Sequence, residues 1–301
     1  MAANTKGWEK IFKDDQFVKQ YKTGEHITGR FARILLDQSG LLTNSSPDTS
    51  LIVFDNACGT GVVSSILQSE LDDQVKRKMQ LTCGDISPGM LEYAKARADE
   101  EGWQNARFEI IDAQQSGLPS SHFTHVIASF VLILPGALLV YMALPKSLAA
   151  LDDATRILRP GGTLAFSTWI QPGWLSVMQK GIETIPGNLP FPSASQFLAA
   201  LNGEKWNSIE WIVSELEKRG YQDVNVRPVT DKLSLNVSDF ENMSMTMFPM
   251  VTKAFWTEEQ RKYSLDEVRL ALRNYLQNTY GHEGDIPMQW TAIMATARKP
   301  N

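Results

Sequence analysis

Leu51-Ile52-Val53-Phe54-Asp55-Asn56-Ala57-Cys58-Gly59-Thr60-Gly61 is the stretch that decides the fold. Its first half, Leu51 to Asp55, is a short apolar run closed by an acid, and a turn bearing Gly59 and Gly61 follows. Beyond them, Val62 to Leu71 continues with apolar residues at helical spacing. Strand, glycine turn and helix in that order open a parallel βαβ unit. The turn lets a ligand come close to the backbone and to a helix N-terminus, because glycine has no Cβ and accepts positive φ. A nucleotide-like ligand is the expectation.

The same unit repeats outward. Met79 to Gly84 reads as a second strand meeting Asp85, and Ser87 caps a helix whose first residue is Pro88 and which runs through Ala98. Arg107 to Ile111 and Phe123 to Phe130 read as strands three and four, separated by a polar turn. A helix from Leu148 to Leu158 stops at Arg159-Pro160-Gly161-Gly162, where proline and glycine re-aim the chain into a fifth strand, Thr163 to Thr168. Ile209 to Arg219 is helical, and Val224 to Arg227 and Gln289 to Arg298 complete seven strands. The pattern predicts an α/β fold around a mostly parallel sheet. Residues 1–50 read as an N-terminal helical cap, with Phe12, Phe17, Tyr21, Phe31, Ile34 and Leu35 facing inward. Residues 51–301 read as the main domain, with a helical lid inserted at about 238–280.

Composition narrows the partners. The 301 residues are 43% hydrophobic and 21% charged, as in globular chains. Net charge is −5 and the longest basic run is Lys76-Arg77-Lys78, so a nucleic-acid partner is not expected. The apolar stretch Phe130 to Leu144 is broken by Pro135 and Gly136 and falls short of the roughly 20 residues of a membrane span. Cys58 and Cys83, the two cysteines, lack metal-ligand or disulfide-framework spacing, so no metal is expected. Met1 to Lys10 has no apolar leader, which makes a reducing, cytoplasmic location the expectation.

Asp85 follows Gly61 by about 24 residues and ends the second strand, where a carboxylate accepts hydrogen bonds from both hydroxyls of a ribose. Dinucleotide enzymes share that feature. However, Gly59-Thr60-Gly61-Val62-Val63-Ser64 lacks the last glycine of G-x-G-x-x-G.

At this point the residues resemble class I S-adenosylmethionine-dependent methyltransferases. Their first motif, an acid followed by G-x-G-x-G, is matched from Asp55 except that Ala57 replaces the first glycine, a residue less tolerant of positive φ. The likeness continues through Cys83 to Leu91, Asp112-Ala113-Gln114 and Arg156 to Gly162, covering about residues 50–170. It implies a Rossmann-like methyltransferase fold and S-adenosylmethionine as cofactor. Asp55, Asn56, Ala57, Gly59 and Gly61 would lie near the methionine moiety, Asp85 on the ribose, Ile86 and Met90 beside the adenine, and Asp112, Ala113 and Gln114 at its edge. Ser129 joins this cofactor set, and Tyr21 and Thr28 from the cap would cover the amino-acid end. A narrower similarity, carried by Asp55 to Ser64, Gly102-Trp103-Gln104-Asn105, Asp112 to Gln115 and Phe123 to Val126, is to fungal secondary-metabolism methyltransferases, including gliotoxin-type bis-thiomethyltransferases that methylate small dithiols. Against that pattern, the Pro135 to Pro145 connection is about ten residues longer than usual.

For the methyl acceptor, a small molecule, position favours Phe130 and Trp169, past the ends of strands four and five. Met243, Met247 and Phe248 suit either an adaptable apolar pocket or plain core packing. His125 reads as a satisfied polar residue at the head of a strand, and His282, near the lid, is the candidate general base. No stronger base stands out, which favours a thiol acceptor over an oxygen or nitrogen one. A non-methylating enzyme or a binding protein on the same fold remains open.

Overall fold

The computed structural model describes residues 15–46, 48–130, 146–202 and 205–301, with the side chains of 15–23 and 201–202 outside that description. Phe12, the side chains of Phe17 and Tyr21, and the Pro135 to Pro145 connection therefore lie outside the described residues.

The chain begins with α1 (Asp15–Gln38), then β1 (Ile52–Asn56), α2 (Val62–Glu70), α3 (Asp73–Lys78), β2 (Gln80–Asp85), α4 (Pro88–Glu101), β3 (Ala106–Ile110) and β4 (Phe123–Ala128). It continues with α5 (Ser147–Ile157), β5 (Leu158–Gln171), α6 (Trp174–Ile182), α7 (Ala194–Asn202), α8 (Ile209–Lys218) and β6 (Gln222–Asn236). Two helices, α9 (Val237–Phe255) and α10 (Leu265–Tyr280), precede the final strand, β7 (Asp285–Arg298). The seven strands lie in the order β3-β2-β1-β4-β5-β7-β6. The first five are parallel, and β7 runs antiparallel to both its neighbours. Strand order reverses at β1, so the crevice beyond its C-terminal end is where this architecture places ligands.

Local chemistry explains the boundaries. Ser87 caps α4 by accepting the Met90 N–H, with Pro88 in the first turn. β5 starts at Leu158 rather than at Thr163, because the Pro160-Gly161-Gly162 segment is absorbed as an irregularity inside the strand: Phe123 pairs with Leu158 and His125 with Thr163. β6 outruns the Val224 to Arg227 expectation because it is an edge strand, where Pro228 can sit without a donor opposite Ile293. Helices α6 and α7, which fill the stretch after β5, went unread in the sequence.

Helix α1 packs Ile27, Phe31 and Leu35 into the core, while Ile34 is half-buried. Its far end is tied to β6 and β7 through Gln38, whose amide donates to the Asn225 and Met294 carbonyls. Between β6 and β7, α9 buries Phe240, Phe248 and Val251 completely. Its Glu241, 5% exposed, accepts two hydrogen bonds from Arg273 and one from Arg269 of α10. Glu241→Ala should cost about 1–2 kcal/mol, a modest loss because both guanidinia can turn to water. An unchanged thermal midpoint would show that apolar packing alone holds α9 to α10.

Candidate functional site

The turn after β1 is built by backbone conformation. Ala57 and Gly59 both sit at φ 54° and Gly61 at φ 81°. Ala57 thus occupies the left-handed region that its motif position demands, at a cost of about 1–2 kcal/mol relative to glycine. At Gly61 a Cβ would stand 2.7 Å from the Trp103 ring, so glycine is required for both conformation and space. The Cys58 N–H donates to the Gly84 carbonyl at 2.9 Å, and the Gly61 N–H to the Cys58 carbonyl at 2.8 Å, which fixes the turn against β2.

Asp85 completes it. Its Oδ2 accepts the Gly59 N–H and its Oδ1 the Ser87 N–H, each at 2.9 Å. Burial pushes this carboxyl up, and the backbone N–H groups of Ser87, Gly59 and Ile86 oppose that shift. A carboxylate has about four acceptor sites, so the backbone N–H groups leave Asp85 with capacity for a ribose hydroxyl. Ile86 beside it is 50% exposed, an apolar surface for a flat ring. Met90 is buried at the start of α4.

Asp55 is fully buried, and desolvation raises its pKa to about 7 against a 2.6 Å hydrogen bond donated by Ser64 Oγ. With Thr28, Ala32, Ala57, Cys58, Val62, Val63, Ser129 and Phe130 it lines one cavity. The structure therefore brings together Thr28 from α1, Asp55 and Ala57 from β1 and its turn, and Ser129 and Phe130 from the end of β4. Further along, Asp112 Oδ1 accepts both the backbone N–H and the side-chain amide of Gln114, at 2.9 and 3.1 Å. Its Oδ2 meets only a 3.5 Å contact and is left for an outside donor. Ala113 is buried next to it.

Among the described residues, two buried atoms of this region have no hydrogen-bond partner, Asn56 Oδ1 and Thr60 Oγ1. Groups of that kind are costly unless a ligand or water satisfies them. A cofactor carrying an amino acid, a ribose and an adenine fits this set of unspent acceptors beside a positive-φ glycine turn. When bound, S-adenosylmethionine supplies an electrophilic methyl group on a sulfonium.

Beyond the cavity stands an aromatic wall. Phe130 stacks on Trp169 at 4.1 Å, Phe31 meets both rings edge-on, and Trp290 lies 5.2 Å from Trp169. The indole N–H groups of Trp103, Trp206 and Trp256 have partners in Glu101, Ser147 and Pro190. That of Trp290, 2% exposed, has none among the described residues.

The histidines lie elsewhere. His125 is half-buried in β4 against Thr124 Oγ1, and desolvation, with Arg159 adding to it, lowers its pKa to about 4. It is neutral and structural, as read from sequence. His282 is exposed between α10 and β7 and does not line the cavity. Ala292 is the β7 residue paired with Trp169, and Asp285 starts the strand seven residues earlier, about 24 Å away along an extended strand. Met243, Met247 and Phe248 are buried in α9. Ser64 and Trp290 were missed by sequence reading. Nothing in their spacing distinguishes them from ordinary helix and strand residues.

A doubly wound sheet with a buried acid, a glycine turn and a second buried carboxylate at its switch point is the architecture of the class I S-adenosylmethionine-dependent methyltransferases. Residues 53–162 match the family described as a methyltransferase domain. The chain is 40% identical to the acetylaranotin bis-thiomethyltransferase of Aspergillus terreus, across 96% of this chain and 97% of that one. It is equally 40% identical to the methyltransferase tpcH of Aspergillus fumigatus, across 97% and 99%. The methyltransferase ktnA of Aspergillus niger is 37% identical across 93% and 94%. Among solved structures, a Haemonchus contortus phosphoethanolamine N-methyltransferase superposes with a TM-score of 0.56 at 14% identity, covering 98% of this chain and 60% of that one, a likeness of fold alone. The chain belongs to the class I methyltransferases of fungal secondary metabolism, and it is an S-adenosylmethionine-dependent enzyme.

Proposed function

We propose that this enzyme moves the methyl group of S-adenosylmethionine onto the sulfur of a small dithiol. One observation carries the reading: among the described residues that line the cavity, Asp55 and Cys58 are the titratable ones, and in this placement both lie at the methionine end of the cofactor rather than against the acceptor. Asp55 is engaged by Ser64, and the contact with Cys83, with burial adding to it, pushes the Cys58 thiol up. A sulfur nucleophile needs the least help. The likeness to a bis-thiomethyltransferase supports the same choice. A mass-shift assay with labelled cofactor against small thiols, phenols and amines tests it: transfer to phenols or amines alone would overturn it.

In this reading the turn from Asp55 to Gly61 holds the methionine end and Asp85 the ribose. Ile86, Met90, Asp112, Ala113 and Gln114 frame the adenine. The acceptor lies against Phe130 and Trp169. Helix α1 acts as a cap, with Thr28 toward the amino-acid end. The α9–α10 insertion, with Met243, Met247 and Phe248, acts as a lid.

The buried acid gives this arrangement a pH signature. In the cofactor-free protein the raised Asp55 pKa means that neutral Asp55 contributes stability below about pH 4, and this is lost as pH rises through about 7. A bound cation near Asp55 prefers the carboxylate, so affinity should run the other way. S-adenosylmethionine binding should weaken as pH falls below about 7, by at most about tenfold per pH unit. The slope should vanish in Asp55→Asn. A dissociation constant flat between pH 6 and 8 in the unaltered enzyme would place the cofactor's cation away from Asp55.

A further inference from the structure

Outside the cavity, Arg97 of α4 joins two segments far apart in sequence. Its Nη1 and Nη2 donate to Glu25 Oε1 and Oε2 of α1, at 3.2 and 2.9 Å, in a forked pair. The same Nη1 donates to the Thr60 carbonyl at 3.1 Å, inside the Gly59-Thr60-Gly61 turn, and Nε donates to Glu101 at 3.0 Å. The Arg97 and Glu25 side chains are only 20% and 12% exposed, which separates them from the solvent-screened pairs that contribute little. A guanidinium serves here because its planar fork can hold a carboxylate with two donors and still reach a third acceptor.

What the fork holds matters to the cavity. Glu25 precedes Thr28 by less than one turn of α1, and the Thr28 hydroxyl donates to the Gly24 and Glu25 carbonyls at 3.2 and 3.4 Å. Gly29 lies close against Val62, where an added Cβ would be 3.4 Å from its methyl group. Thr28 and Ala32 face Asp55, Ala57 and Val62 across the cavity. Thus one side chain grips the carbonyl of the glycine turn on one side and the helical turn that carries Thr28 on the other.

We propose that Arg97 is a positioning residue that, through Glu25, holds the N-terminal helix in register with the glycine turn across the methionine end of the cofactor. The proposal rests on the cofactor placement above and is independent of the acceptor atom. Any closure of α1 over bound cofactor then depends on a contact the cofactor never touches.

The test is calorimetric titration with S-adenosylhomocysteine, with hydrogen exchange followed in peptides covering residues 24–36. The unaltered enzyme comes first, since absence of binding there would refute the cofactor placement itself. Glu25→Gln and Arg97→Lys should each weaken binding by about tenfold, the loss of one charge-assisted contact. In the double variant the second change should add less than about twofold, because both remove the same fork. Ligand-dependent protection of residues 24–36 should shrink in both single variants, while protection of the β1 and β4 amides persists. Retained affinity within twofold in both single variants would overturn the proposal. So would weaker binding accompanied by loss of protection throughout the sheet in the ligand-free variants, which marks a purely structural pair.

Discussion

Asp85→Ala should weaken S-adenosylmethionine binding by about a hundredfold, roughly 2.7 kcal/mol. Two effects add. The substitution removes the acceptor for the ribose, and it also strips the Gly59 and Ser87 N–H groups of the carboxylate that holds both at 2.9 Å. The glycine turn therefore loses an anchor at the moment the ligand loses a partner. Asp85→Asn separates the contributions: its one carbonyl oxygen can keep one backbone contact and one hydroxyl while the amide nitrogen, a donor, loses the other pair, and the expected loss is about tenfold. Calorimetry with S-adenosylhomocysteine reads both. Affinity unchanged in Asp85→Ala would show that the ribose sits elsewhere on the sheet edge, and tight NAD binding in place of S-adenosylhomocysteine would point to a different ligand class altogether.

The cofactor half of this enzyme was legible in sequence because its chemistry is local. The run from Leu51 to Gly61 specifies strand, turn and helix within eleven residues, and Asp85 is brought to it by the adjacent parallel strand, with Asp55 opposite Cys83. Ser87 and Pro88 announced α4 through a cap that needs no tertiary contact. Where non-local packing decides, sequence reading stopped short. The length of β6 depends on its edge position and on pairing with β7 down to Asn236 and Asp285, which local composition around Pro228 does not reveal. Ser64 became meaningful only because the first turn of α2 sets it over the buried Asp55. Trp290 likewise reads as one more strand aromatic until burial leaves its N–H without a partner among the described residues. Ala57 was legible as a departure but not in its consequence: the turn keeps a left-handed backbone with alanine in place.

Benzene-1,2-dithiol should be methylated at least about a hundredfold faster than catechol, an acceptor of the same shape with oxygen in place of sulfur. The argument starts from the donor. A sulfonium is already activated, so the protein's main contribution is to align nucleophile, methyl carbon and leaving sulfur, and well-oriented reactions gain about 7–11 kcal/mol from such positioning. Positioning serves both acceptors alike. They differ in the proton: a thiol with a pKa of about 8.5 is partly ionised near neutral pH, whereas an oxygen acid needs a base, worth about 10²–10⁴-fold where one is present. The cavity offers Asp55, held by Ser64, and Cys58, whose thiol is pushed up by Cys83 and by burial, while His282 lies exposed ahead of β7. His282→Ala should accordingly leave the dithiol rate within about twofold, since general-base effects begin near 10²-fold. Initial rates for both acceptors, in the unaltered enzyme and in His282→Ala, decide the matter. A preference for catechol together with a collapse in rate on removing His282 would establish oxygen as the acceptor and a base delivered by closure of the α9–α10 insertion.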